Sequence, residues 1–345
     1  MRIKEIKHWE KIPELLKSVK GSIIILGDVD TGKSTLVAHI CSSMKNKQEI
    51  GLISADLGQS LFGMPTCFSY ARVSGDTIRD LEPEKMIFVG SSSPRGNFLK
   101  VIIAFQKLLK YAQKQNKFNV IDTDGLVQDN TGKEYKVAMI QMVDKGMVLA
   151  IQKEAELEHI LKYLKNETSI PVGLIRTPPE AQTKSQRDRT DYRSARFQNY
   201  FKNGIEKTYT INFDKIQGSG FGIGKTMDKS TLEVLSKYFD VKVLYGEYGK
   251  YEFSAILESS VEKEAINHVA NVLNIRKLTA YSMNDFNNLL VGFNDYHGYT
   301  KIIGLIKEFH ISSNQMIIYL PYDEEISSLT CVLGKERIML APPTD

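Results

Sequence analysis

One stretch constrains this chain more than any other: Ser22 to Ala38, reading SIIILGDVDTGKSTLVA. Ser22 to Leu26 is a β-branched and aliphatic run, which suits a strand buried on both faces. Gly27 to Ser34 then matches G-x-x-x-x-G-K-[ST], and Thr35 to Met44 continues in a helical pattern. Strand, loop and helix in that order make a phosphate cradle. The glycines let the backbone fold tightly, so that its N–H groups and the helix N-terminus face phosphate oxygens. Lys33 is expected to reach the β- and γ-phosphates, and Ser34 to ligate Mg²⁺. Gly27, Asp30, Thr31, Gly32, Lys33, Ser34 and Thr35 are the expected contacts to a nucleoside triphosphate.

A second stretch, Gly218 to Thr226 (GSGFGIGKT), ends in Gly-Lys-Thr but fails the same test. Six residues before Lys225 stands Ser219 where glycine is required, and no strong apolar strand precedes it. It reads as a flexible turn.

At 345 residues, two domains are the natural expectation. A hydrophobic fraction of 42% and a charged fraction of 25% are those of ordinary globular proteins. The net charge of +4 is compatible with a nucleic-acid partner without arguing for one. Cys41, Cys67 and Cys331 are scattered, with no C-x-x-C pair or metal-ligand spacing, which points to a reducing, cytoplasmic location. No apolar run approaches the length of a membrane span, and MRIKEIKHWEK lacks a signal peptide's apolar core.

Trp9, Ile12, Leu15, Leu16 and Val19 share a helical face beside the first strand, with core packing the expected role of Trp9. Five apolar runs follow the P-loop strand: Ile50–Ala55, Met86–Gly90, Phe118–Asp122, Met147–Ile151 and Ile170–Ile175. Helical patterns fall at Asn97–Gln115, Glu134–Asp144 and Glu154–Lys165. This alternation predicts an α/β fold with a P-loop, doubly wound, mostly parallel sheet. In such sheets ligands sit beyond the carboxyl ends of the strands. Residues 1–205 form the expected P-loop domain, including a lid helix at about 184–201; residues 206–345 form a smaller β-rich domain. In the latter, Thr208–Phe213, Val241–Tyr245, Ile302–Ile306, Met316–Leu320 and Arg337–Leu340 are expected strands, and Lys229–Phe239 and Val261–Leu273 expected helices.

Three constellations occupy strand ends, and a fourth lies on a helix. Asp56, in SADLGQS, either orients Mg²⁺, water or an attacking hydroxyl, or is a turn aspartate before glycine. Ser91 to Asn97 (SSSPRGN) either holds a second substrate's phosphate or sugar, or simply leads into a helix. Asp122 and Asp124 follow the fourth strand, within reach of a metal or its water shell. Arg189 and Arg193, four apart, share a helical face with Arg196; they either close over a triphosphate or form a solvent face paired with Asp188 and Asp191.

Taken in order, GDVDTGKSTL, DLGQSLFGMPT, VGSSSPRGN, IDTDGL and R-x-x-x-R resemble the polynucleotide 5′-hydroxyl kinase family. That family includes the RNA kinases of pre-mRNA cleavage, tRNA splicing and pre-ribosomal RNA processing. The resemblance spans roughly residues 20 to 203, with a weaker echo in LLVGFNDYHGYTKIIGLI, and is nearest to the compact archaeal members. It implies an enzyme that transfers the γ-phosphoryl group of ATP to RNA or DNA 5′-hydroxyl ends with Mg²⁺, with RNA-processing proteins as candidate partners and no membrane. Lys33, Asp56, Arg189 and Arg193 are then the catalytic candidates, with Asp56 positioning or deprotonating the hydroxyl. Gln59, Ser93, Pro94, Asn97 and Asp124 would contact the substrate, and Ser34 with Asp56 would hold the metal. Ser54 stands where many members carry an acidic residue, and Leu126 where a tryptophan is common. Too few residues precede the P-loop strand for the N-terminal β-domain of the eukaryotic members, which is expected to be absent. Two rival readings are a nucleotide-binding scaffold without turnover and an NTPase switch with water as acceptor.

Overall fold

The computed structural model describes residues 3–6, 9–46, 48–75, 77–218, 220–222 and 224–341. It divides into two compact units, Met1–Phe197 and Gln198–Asp345.

The first unit carries eight strands: β1 (Ile3–Ile6), β2 (Gly21–Gly27), β3 (Gly51–Ala55), β4 (Cys67–Arg72), β5 (Lys85–Phe88), β6 (Phe118–Thr123), β7 (Gly146–Gln152) and β8 (Val172–Arg176). They form one sheet in the order β1-β8-β7-β2-β6-β3-β4-β5, parallel except where β4 pairs antiparallel with β3 and β5. Its helices are α1 (Ile12–Leu16), α2 (Lys33–Met44), α3 (Phe98–Gln115), α4 (Asp129–Gln141), α5 (Glu158–Glu167) and α6 (Gln186–Tyr200). Ile23, Ile24, Ile25 and Leu26 of β2 are fully buried, because helices cover both faces. Ile23 and Ile25 pack with Leu16 of α1 and Leu36, Val37 and Ile40 of α2.

The expected strands are present in the first unit, while β1 and β4 lie outside the expected runs. β4 is hidden in the sequence because CFSYAR is short and broken by Ser69 and Arg72; burial beside β3 overrides that composition. The Trp9–Val19 segment is a 3-10 turn (Trp9–Lys11) followed by only five α-helical residues. Helix α4 begins five residues before Glu134, at Asp129, whose Oδ1 accepts the N–H of Gly132 at 2.9 Å.

The second unit holds β9 (Ile205–Thr210), β10 (Ile216–Gln217), β11 (Lys225–Thr226), β12 (Val243–Tyr248), β13 (Glu252–Leu257), β14 (Lys277–Ser282), β15 (Leu289–Asn294), β16 (Thr300–His310), β17 (Gln315–Leu320) and β18 (Thr330–Arg337), with helices α7 (Lys229–Phe239) and α8 (Lys263–Val272). A six-stranded sheet runs β10-β18-β15-β16-β17-β9, and a four-stranded one β11-β12-β13-β14. The expected last strand ends at Arg337 rather than beginning there; its buried face is Cys331 to Leu333, and Met339 beyond it is exposed. Lys225 and Thr226 are not a free turn but pair with Tyr248 and Glu247. Ser219, in the same glycine-rich stretch, lies outside the described residues.

Candidate active site

The sheet order places β2 between β7 and β6, with β3 next, so the loops after β2, β6 and β3 meet at one end of the sheet. Gly32 adopts φ 93° at the start of α2, a left-handed conformation that would strain a side chain. Gly125 matters for a different reason: a Cβ there would lie 2.6 Å from the Val29 nitrogen. That missing methyl lets the loop after β6 press against the P-loop.

Within the loop, Lys33 Nζ donates to the Asp28 carbonyl at 2.7 Å, and Thr31 Oγ1 donates to the same oxygen at 2.9 Å. Asp28 Oδ2 accepts from Gln128 Nε2 at 2.6 Å. The lysine thus rests on its own loop and is free to exchange that carbonyl for phosphate oxygens.

Ser34 Oγ donates to Asp122 Oδ2 at 3.2 Å. Asp122 is buried, and its Oδ1 has no hydrogen-bond partner among the described residues. Burial, with the charge of Asp56 added, pushes its carboxyl up to about 7, against the lowering effect of Lys33 and Ser34. A buried carboxylate with one orphan oxygen beside a P-loop hydroxyl fits a hard divalent cation.

Asp56 Oδ1 accepts the N–H groups of Gly58 and Gln59, both at 2.8 Å, so the two loop bonds fall on the same carboxylate oxygen. Burial, and then the charge of Asp124, holds this carboxyl above the ordinary range, opposed by the two N–H groups and Lys33. Ser54 has a scaffolding role: its Oγ accepts the Leu61 N–H at 3.0 Å and meets Ser60 Oγ at 3.2 Å. A hydroxyl suffices there because only the loop's backbone must be held.

The Ser91–Asn97 loop is internally tied. Asn97 Nδ2 donates to the carbonyls of Ser93 and Arg95, and the Asn97 N–H to that of Pro94. A Cβ on Gly58 would come within 3.1 Å of the Ser92 carbonyl, so this loop and the Asp56 loop are adjacent.

Asp124 is held from three sides: Leu126 N–H at 2.8 Å, Lys136 Nζ at 3.0 Å, and Tyr135 hydroxyl at 2.8 Å. Lys136 is fully buried and also donates to the Asp124 carbonyl at 2.8 Å. Burial lowers its ammonium pKa and raises the phenol of Tyr135. Sequence reasoning missed both residues. The available signal was a lysine at an otherwise inward position of a helix following an Asp-x-Asp strand end.

Helix α6 stands over this site. Arg189 Nη2 donates to Asp30 Oδ2 at 2.6 Å, and Lys184 N–H reaches the same oxygen at 3.0 Å. Tyr192 hydroxyl donates to the Ser60 carbonyl at 2.7 Å, Arg196 bonds the Gly63 carbonyl, and Lys184 Nζ lies 3.3 Å from Gln59 Oε1. Among the described residues, Arg193 bonds Thr190 of its own helix, at 3.1 Å. Asp188 accepts from Ser185, and Asp191 lies 3.7 Å from Arg187, so part of the expected solvent-face pairing is present. The candidate residues therefore lie at the ends of β2 and β6, on the first turn of α2, on the loops that follow β2, β3, β5 and β6, or on α6.

Residues 27–203 match the family model described as the P-loop of mRNA cleavage and polyadenylation factor CLP1. The chain belongs to the CLP1 P-loop family. A polyribonucleotide 5′-hydroxyl-kinase of Pyrococcus horikoshii is 27% identical over 335 residues, covering 95% of this chain and 88% of the relative. One of Methanocaldococcus jannaschii is 28% identical over 324 residues, covering 90% and 86%. Among solved structures, wild-type Clp1p in complex with Pcf11p superposes with a TM-score of 0.62 at 12% identity, over 96% of this chain and 79% of that one. The solved Clp1p structure shares the fold, and the curated relatives carry the kinase name. No helix among the described residues is long and apolar enough to cross a membrane.

Proposed function

We propose that this chain is an ATP-dependent polynucleotide kinase that phosphorylates the 5′-hydroxyl of RNA, and of DNA ends as a second acceptor. The observation that carries this reading is the pairing of the Asp56 loop with the Ser91–Asn97 loop, next to a complete P-loop. An NTPase switch needs the second of these but has no use for the first. The kinase names of the archaeal relatives support the same reading.

In this reading Lys33 leaves the Asp28 carbonyl for the β- and γ-phosphates of ATP. Ser34 and Asp122 would hold Mg²⁺, with Asp56 near enough in the loop order to meet its water shell; bound there, the ion would neutralise phosphate charge. Gln59, Ser93, Pro94 and Asn97 cradle the polynucleotide end, and Asp124, gripped by Lys136 and Tyr135, keeps the loop after β6 in place beneath it. Asp56, anchored through Oδ1, uses Oδ2 to orient the 5′-hydroxyl and takes its proton as the new O–P bond forms and the bond to the β,γ-bridging oxygen breaks, releasing ADP. Arg189 and Arg193 swing from Asp30 and Thr190 onto the transferring phosphoryl group. Partnership with RNA-processing proteins belongs to this proposal, as does a reducing cytoplasm, which suits three buried free cysteines.

The test is transfer of labelled γ-phosphate from ATP to a 5′-hydroxyl RNA oligonucleotide, with hydrolysis measured in parallel. Transfer in the wild type and its loss in Lys33→Ala support the kinase. Hydrolysis without transfer identifies a switch, and nucleotide binding with neither identifies a scaffold.

A further inference from the structure

At one end of the four-stranded sheet, the second unit gathers a cluster of cations and aromatic rings that the kinase site does not use. β12 and β13 are joined by the tight turn Gly249–Tyr251, closed by the Gly249 N–H donating to the Glu252 carbonyl at 2.8 Å. Pairing of Lys225 with Tyr248, and of Glu252 with Lys277, brings the ends of β11 and β14 to the same edge. Two adjoining clefts result, of about 680 Å³ and 550 Å³. Lys250 and Gly249 line both. Lys225, Lys250, Arg276 and Lys277 are exposed. Tyr248 and Tyr251 are exposed, at 41% and 55%.

The charges are poorly compensated locally. Glu252 lies 3.4 Å from Lys277, and Glu247 is turned inward, accepting from Tyr245 and the Gly222 N–H. Lys250 Nζ sits 5.1 Å from the centre of the Tyr251 ring. Four cations beside the single cleft-lining carboxylate of Glu252 attract a polyanion, and unstacked tyrosines beside them offer faces for unpaired bases. A folded acidic protein would leave the rings without a purpose, and a membrane surface calls for a convex or flat apolar face rather than clefts. Lys225, the one feature of the spurious Gly-Lys-Thr stretch with chemistry, falls inside the cluster.

We infer that this cleft pair binds single-stranded RNA, its cations taking phosphates and Tyr248 and Tyr251 stacking on bases. The kinase reading supplies only the choice of RNA as the polymer. The test measures binding of the full-length protein to a 5′-phosphorylated twenty-nucleotide oligouridylate by fluorescence anisotropy across a salt series. That readout needs no phosphoryl transfer, so failure of the kinase assay overturns the kinase reading and leaves this one standing.

Arg276→Glu is expected to weaken binding about tenfold and to make log affinity fall less steeply with log salt, by about 0.7 for each phosphate no longer neutralised. Tyr251→Ala is expected to weaken it about five- to a hundredfold with little change in salt slope. Lys237→Glu, an equal charge change at an exposed position of α7, serves as the control and is expected to stay within about twofold. Melting temperatures establish that each variant is folded; should Arg276→Glu fail to fold, Lys250→Gln takes its place. Wild-type affinity in the folded Arg276 and Tyr251 variants overturns the inference. So does tighter wild-type binding to polyglutamate than to the RNA, which would make the cleft a site for acidic protein segments.

Discussion

Three buried or half-buried charges decide what this site can do, and each makes a separate prediction. Asp56→Asn removes the proposed proton acceptor while keeping the side chain's shape, so turnover is expected to fall about 10²–10⁴-fold with ATP affinity nearly unchanged. Because burial and Asp124 raise the Asp56 carboxyl, wild-type turnover should rise with pH on an acidic limb displaced above the ordinary carboxylate range. The mutant should lack that limb in a pH–rate profile; a mutant with normal rates moves the role elsewhere. Asp122 acts on stability. Its folded carboxyl is raised from 3.8 to about 7, so the native state holds the proton more tightly than the unfolded chain. That contribution is complete below pH 3.8 and is lost as pH climbs through about 7. Asp122→Asn should therefore flatten the melting temperature across this window, raise it at pH 8, and abolish phosphoryl transfer. Lys136 is fully buried against Asp124. Lys136→Met strands that carboxylate, at a cost of about 3–5 kcal/mol in denaturant unfolding. Adding Asp124→Asn should recover much of the loss, and additive losses would show that the pair is not coupled.

At the scale of elements, the lid is the informative piece. Only Phe197 of α6 is buried, so the helix is attached by a few directed bonds rather than by a core face. Arg189 to Asp30 and Tyr192 to Ser60 hold it above the P-loop and the Asp56 loop. Such an element can move at little cost. Arg189→Ala and Arg193→Ala are expected to lower kcat by roughly 10³–10⁵ while changing KM for RNA far less, if their charge acts on the transferring phosphoryl group as proposed. Lysine should rescue poorly, because it lacks the planar fork. Normal transfer of labelled phosphate in both alanine variants would leave α6 a solvent-facing helix and remove the lid from the mechanism.

At the scale of the whole molecule, the two units have separate apolar cores. Leu149 and Ile23 belong to one, and Phe293, Ile302 and Met316 to another. Leu149 and Phe293 are both fully buried. Calorimetry should accordingly resolve two transitions. Leu149→Ala is expected to lower the first unit's transition by an amount matching about 2–5 kcal/mol, and Phe293→Ala the second unit's by about 3–5 kcal/mol. A single transition shifted equally by both would show the cores to be one cooperative block.

The P-loop was fully legible in the chain because its chemistry is local. Spacing of Gly27, Gly32, Lys33 and Ser34 fixes strand, turn and helix without help from distant residues, and the alternating runs that follow imply the parallel sheet. Asp56, Asp122, Asp124 and the Ser93–Asn97 loop were legible as candidates only because strand ends are where such sheets place ligands. Their division of labour was not. That Ser34 bonds Asp122, that Asp124 is consumed by Lys136 and Tyr135, and that Ser54 braces a loop are consequences of strand order, which hydrophobic periodicity does not encode. Likewise nothing local distinguishes Arg189 on a solvent face from Arg189 on Asp30, 159 positions away. Sequence determined which groups exist and which segments carry them; tertiary structure alone decided which of them meet, because desolvation and charge pairing act through space rather than along the chain.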